Sequence, residues 1–142
     1  MQMPNKIKPS NRRRARILAL QAVYQWQVTA DSEQELTRQF SEKLNPNRID
    51  VSYFEELLGG VLRNIISIDQ KLIPVLDRKQ EDLDLVERAI LRLAACELCY
   101  CPEVPFKVVI NEALELAKLF GSVDGYKYVN GVLDKVAKQL GA

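Results

Sequence analysis

Four arginines in five positions, Arg12-Arg13-Arg14-Ala15-Arg16, are the residues of this chain best suited to chemistry with an anion. With Lys6 and Lys8 they give the first sixteen residues six positive charges and no acidic side chain. The planar guanidinium fork matches the paired oxygens of a phosphate. The rest of the chain has the opposite sign. Without those six, the 20 basic residues fall to 14 against 19 acidic ones, so the net charge moves from +1 to −5. A near-neutral total thus hides a basic arm on an acidic body, and such asymmetry points to a polyanionic partner. Charge runs are usually solvated faces. Here, however, the arginines open a helix, where the backbone is already partly positive and acidic residues would be preferred. The free N–H groups of that helix end add donors to the same anion site. Phosphate contacts dominate nucleic-acid binding, which makes nucleic acid the expected partner. Gly125-Tyr126-Lys127-Tyr128 offers an aromatic and a cation for single-stranded RNA, although Tyr126 and Tyr128 cannot face the same way on one helix.

Catalytic signals are weak. The chain has no histidine, no phosphate-binding Gly-rich loop and no serine or cysteine with a recognisable base, so no enzymatic activity is expected. Cys96, Cys99 and Cys101 have metal-like spacing, but a closed zinc site needs about four ligands. With no histidine and no fourth cysteine, small apolar residues near a helix end are the expectation, with no metal and no cofactor. Glu97 falls within an apolar helix face. A buried carboxylate must be paired or protonated. A tie to an arginine or to backbone N–H groups fits better than a catalytic acid, because no second reactive group accompanies it.

These residues must be positioned by helices, since apolar residues recur at three- and four-residue steps and nowhere alternate. The periodicity predicts helices near 12–28, 33–43, 50–66, 68–77, 83–100, 107–120 and 123–139. Asp50 and Ser122 are candidate N-caps, Gly121 suits the residue after a helix, and Gly59-Gly60 implies close helix packing. The fifth helix is apolar around most of its circumference and should be central. On the first, Ala15, Leu18, Ala19, Ala22, Val23 and Trp26 should be core. Ile17, Tyr24 and Val28 are stranded on the other side, either as a second buried contact or as an apolar strip for a protein partner anchored by Tyr24. The expected fold is an all-α, seven-helix bundle of two packed subdomains joined near residue 80, with a flexible basic arm over 1–11 and one domain over 12–142. No apolar run approaches the roughly 20 residues that span a bilayer, and the basic start lacks the apolar stretch of a signal peptide, so a cytoplasmic location and no membrane partner are expected.

Several stretches together resemble one family. They are Arg12-Arg13-Arg14-Ala15-Arg16, Gln21-Ala22-Val23-Tyr24-Gln25-Trp26-Gln27, Tyr53-Phe54, Leu57-Leu58-Gly59-Gly60-Val61 and Val86 to Ala94. They continue in Val104 to Ala113, Ala117-Lys118, Phe120-Gly121 and Lys127 to Asp134, nearly the whole chain in order. The pattern resembles the NusB transcription antitermination factors. The resemblance implies a two-subdomain helical fold that binds the boxA element of nascent RNA. The protein partner it implies is NusE, a small-subunit ribosomal protein, within a complex on RNA polymerase that suppresses termination, notably in ribosomal RNA operons. It also implies that Arg12, Arg13, Arg14, Arg16, Lys127 and Tyr128 face RNA, that Asp124 lies by the RNA-side loop, and that Tyr24 and Glu87 lie towards NusE. Departures are the long arm, Gly125 at the start of the last helix and Cys99-Tyr100-Cys101. Some ribosomal RNA cytosine methyltransferases carry a similar N-terminal domain, but this chain ends at Ala142 without a cofactor-binding domain, which favours a free-standing factor. A structural helical module with a fortuitous basic tail is the third reading. A homodimer that hides the arginine face is compatible with the sequence.

Overall fold

The computed structural model describes residues 10–141, and within them the chain forms seven α-helices and no strand. Lys6 and Lys8, with most of the expected arm, lie outside the described residues. Ser10 is the N-cap of α1 (Asn11–Thr29), its hydroxyl accepting from the Arg13 N–H at 3.0 Å. The helix ends on Ala30 in the left-handed region at φ 58°. Ser32 caps α2 (Glu33–Phe40), which tightens into a 3₁₀ turn at Ser41–Lys43. Asp50 caps α3 (Val51–Arg63) as expected. The predicted fourth helix begins earlier and ends sooner: α4 is Ile65–Leu72, and Pro74 forces a 3₁₀ turn at Ile73–Val75. Asp84 caps α5 (Leu85–Tyr100), α6 is Phe106–Phe120, and Ser122 caps α7 (Val123–Gln139). Gly121 follows α6 as expected, with extended backbone.

Helix α5 is the axis of the molecule. Its residues 89–98 are all buried, and it packs against α1, α3, α4, α6 and α7. Helices α1–α3 form one side and α4–α7 the other, with a single apolar cluster running through both. Because α4 lies against α5 and α7, the polar stretch near residue 80 links elements of one half, and the seam falls between α3 and α4. A Cβ on Gly60 would stand 2.8 Å from the Cys96 sulfur, so this glycine is what lets α3 approach α5. Cys96 and Cys101 are buried and Cys99 half-buried, as free thiols. Among the described residues, no helix is long and apolar enough to cross a membrane.

Two buried arginines brace α5. Arg92 donates to both oxygens of Asp69 on α4, at 3.1 and 3.0 Å, and to Gln27 on α1 at 3.2 Å. Arg16 donates to both oxygens of Glu97, at 2.9 and 2.7 Å, and Tyr53 on α3 donates its hydroxyl to the same carboxylate at 2.6 Å. This satisfies the expectation that Glu97 is tied to an arginine. Burial alone would lower the Arg16 pKa, but the bond and charge of Glu97 outweigh it and hold the pKa above its ordinary value. The Tyr53 hydroxyl is pushed far up, chiefly by burial and then by Glu97, and stays a donor.

Candidate nucleic-acid interface

Helix α1 presents two surfaces. At its N-terminus the four arginines have four different surroundings. Arg12 is exposed, lies 4.0 Å over the Tyr53 ring, and approaches Asp50 only at 3.7 Å. Arg14 donates to Asn11 Oδ1 at 3.3 Å and to the Arg48 carbonyl at 3.2 Å, with no carboxylate within 4.0 Å among the described residues. Arg13 reaches across to α6 and grips Glu112 with two N–H groups, at 3.0 and 2.6 Å. Arg16 is 4% exposed and bonded to Glu97, with a further contact to Glu112 at 3.3 Å. The expectation that Arg16 faces an anion in solvent is therefore corrected: it stands on the buried stripe of Ala19, Leu20 and Val23, and its charge is spent inside the protein.

Beside Arg13 runs a groove of about 430 Å³ lined by Asn111, Glu112, Leu114, Glu115, Lys118 and Tyr126, with Val108 at its edge. Tyr126 carries the Lys118 ammonium 5.6 Å from its ring centre. Tyr128 points elsewhere. It is half-buried, its ring lies beneath the Arg78 guanidinium at 4.4 Å, and its hydroxyl is enclosed near Asp77 without a well-formed hydrogen bond. So the structure joins Tyr126, not Tyr128, to the arginine end. Lys127 and Asp124 are exposed on α7.

The second surface lies further along α1. Tyr24 is 39% exposed and lines an apolar groove of about 230 Å³ with Leu20, Gln21, Val86 and Phe120. Of the stranded residues, Val28 is exposed like Tyr24, whereas Ile17 packs on the core. Trp26 is only half-buried, 5.4 Å beneath Arg92. Glu87, one residue from Val86, is tucked against α7. A Cβ on Gly125 would lie 2.7 Å from its carboxylate, so Gly125 provides room for this approach rather than loosening the helix.

Burial, and then the charge of Asp84, raise the Glu87 pKa, and Arg78 opposes them. A carboxyl with a raised folded-state pKa binds its proton more tightly when folded, so its penalty is absent below the unfolded value of about 4.3 and complete above the folded one. Glu87→Gln should therefore raise the melting temperature at pH 7, with the difference closing as the pH falls towards about 4. Melting curves across that range provide the check.

The donors of Glu56, Cys101 and Glu103 lie within 4.8 Å of one another, and burial holds the Cys101 thiol up at about 11. Cys96 is pushed higher still by the same cause.

The fold has counterparts among known proteins. The model of the NusB family matches residues 13–138. The chain belongs to the NusB family. Among curated NusB relatives, the transcription antitermination protein of Tolumonas auensis is 52% identical over 135 residues, covering 95% of this chain and 98% of that protein. That of Alcanivorax borkumensis is 50% identical over 138 residues, 97% of this chain and 92% of that protein. The NusB structure from T. maritima superposes with a TM-score of 0.79 at 30% identity, over 98% of this chain and 94% of that one. A crystal structure of the antitermination factors NusB and NusE with double-stranded RNA gives 0.82 at 28% identity, over 89% and 96%. The all-α NusB architecture expected of the sequence is thereby found.

Proposed function

We propose that this protein is an RNA-binding transcription antitermination factor that takes boxA RNA together with NusE into a complex on RNA polymerase. The observation that carries the reading is full-length membership of a family whose relatives are named antitermination proteins, one of them crystallised with NusE and RNA. The geometry supports a division of labour on α1. Exposed Arg12 and Lys127, with half-buried Arg14, which bonds only to Asn11 and the Arg48 carbonyl, are the cations for phosphate, and Asp124 stands among the exposed residues of α7. Tyr126 in its groove is the better placed aromatic for a base. Tyr24 and its apolar groove, with Glu87 nearby, form the face for NusE.

The test is titration of a boxA-like RNA against a scrambled one, with and without NusE. Preference for boxA that strengthens with NusE is expected, and equal weak binding of both RNAs would sink the proposal. Arg12→Ala and Arg14→Ala should each flatten the plot of log affinity against log salt by about 0.7–0.9 for every phosphate left without its cation. An unchanged slope in both variants would remove them from the interface.

A further inference from the structure

We infer that Glu112 is a built-in competitor of RNA phosphate for Arg13, and so limits how strongly the arginine end binds RNA regardless of sequence. The inference rests on the RNA-binding reading above. The two N–H groups that Arg13 gives Glu112 are those that a phosphate would take in a side-on bidentate grip, and the Oε2 contact of 2.6 Å is a short charge-assisted bond. The arrangement is built rather than incidental. Glu112 also accepts from buried Arg16 at 3.3 Å, and its own side chain is only 13% exposed, so neighbours hold the carboxylate in place. Arg13 remains 39% exposed at its side chain and faces the open groove that contains Asn111, Lys118 and Tyr126. A phosphate has room to arrive there but meets a guanidinium whose side-on edge is already occupied.

Charge balance gives the consequence. Arg13 and Arg16 face Glu112 and Glu97 within one connected set of ion pairs, so these four groups sum to zero. Of the four clustered arginines, Arg12 and Arg14 keep most of their charge for a ligand. A phosphate takes the side-on edge of Arg13 only by displacing Glu112, and the N–H groups left over belong to a guanidinium whose charge is already balanced. Sequence-independent attraction, which grows with every free cation, is thereby held down.

Glu112→Gln keeps the shape and removes the charge. At about 0.1 M salt, one additional neutralised phosphate corresponds to about a 5–8-fold gain in affinity, from a slope of about 0.7–0.9 per phosphate. Scrambled RNA should therefore bind the variant about 5–8-fold more tightly than wild type, with the salt slope steeper by about the same 0.7–0.9. In the wild-type background Arg13→Gln should cost less affinity than Arg14→Ala. In the Glu112→Gln background it should erase the whole gain, which makes the pair non-additive. This cycle reads Arg13 independently of whether Glu112→Gln alters the stability of the fold. Scrambled-RNA binding with the same affinity and slope in wild type and Glu112→Gln would overturn the competitor while leaving the RNA-binding reading intact. Absence of any RNA binding by wild type at low salt would instead sink both.

Discussion

Arg16→Ala should lower the folding stability by about 3–5 kcal/mol and the melting temperature by roughly 6–20 °C, because it strands a carboxylate in the core. Glu97 is 2% exposed, and its oxygens are occupied by two guanidinium N–H groups and the Tyr53 hydroxyl. Without Arg16, one donor remains for a buried charge, which must then either stay ionised at great cost or take up a proton. Replacing both partners by apolar residues, as in Arg16→Met with Glu97→Leu, should recover much of the stability, since paired desolvation disappears with the pair. An arginine serving RNA would behave in the opposite way: its removal would spare the melting temperature and flatten the salt slope. Thermal melts of the single and double variants, set beside a salt titration, separate the two roles.

That distinction marks where residue type stops being informative. The seven helices are legible because apolar residues keep a helical period over nearly the whole chain, and because Asp50 and Ser122 cap where their side chains can accept backbone N–H groups. The fifth helix announces its central place by being apolar all round, and Glu97 announces its partner by being a carboxylate within that face. Arg16 carried the complementary signal. It precedes Ala19, Leu20 and Val23 by three, four and seven residues, the spacing of one helical stripe, and all three are buried. Glu112 likewise shares a stripe with Val109 and Leu116. The run of four like charges masks this, since it invites all of them to be assigned to one solvent-facing site. The groove between Arg13 and Tyr126 had no such signal. It exists because the α6–α7 turn brings residues 118 and 126 beside the first helix, a juxtaposition set by packing and not by any local pattern.

Tyr24→Asp should weaken the complex with NusE by at least about 30-fold while moving the melting temperature of the isolated protein by no more than a few degrees. The two halves of this expectation have separate grounds. Truncating an aromatic anchor buried in a partner's interface typically costs about 2 kcal/mol or more, and about 1.4 kcal/mol is a factor of ten in affinity. An aspartate would add the desolvation of an unpaired charge against an apolar groove. In the free protein, by contrast, Tyr24 is 39% exposed, its hydroxyl makes no hydrogen bond among the described residues, and it borders Leu20, Val86 and Phe120 from the solvent side. Exposed positions of that kind seldom contribute much to folding. Calorimetry with NusE and a melting curve of the variant together decide it, because a core tyrosine would lose stability first and binding only as a consequence. The same experiment tests whether the two surfaces of α1 act independently. Tyr24 lies almost three helical turns from Arg14, so the variant should keep the salt slope of RNA binding measured without NusE, and a slope that fell with it would mean that one surface, rather than two, serves both partners.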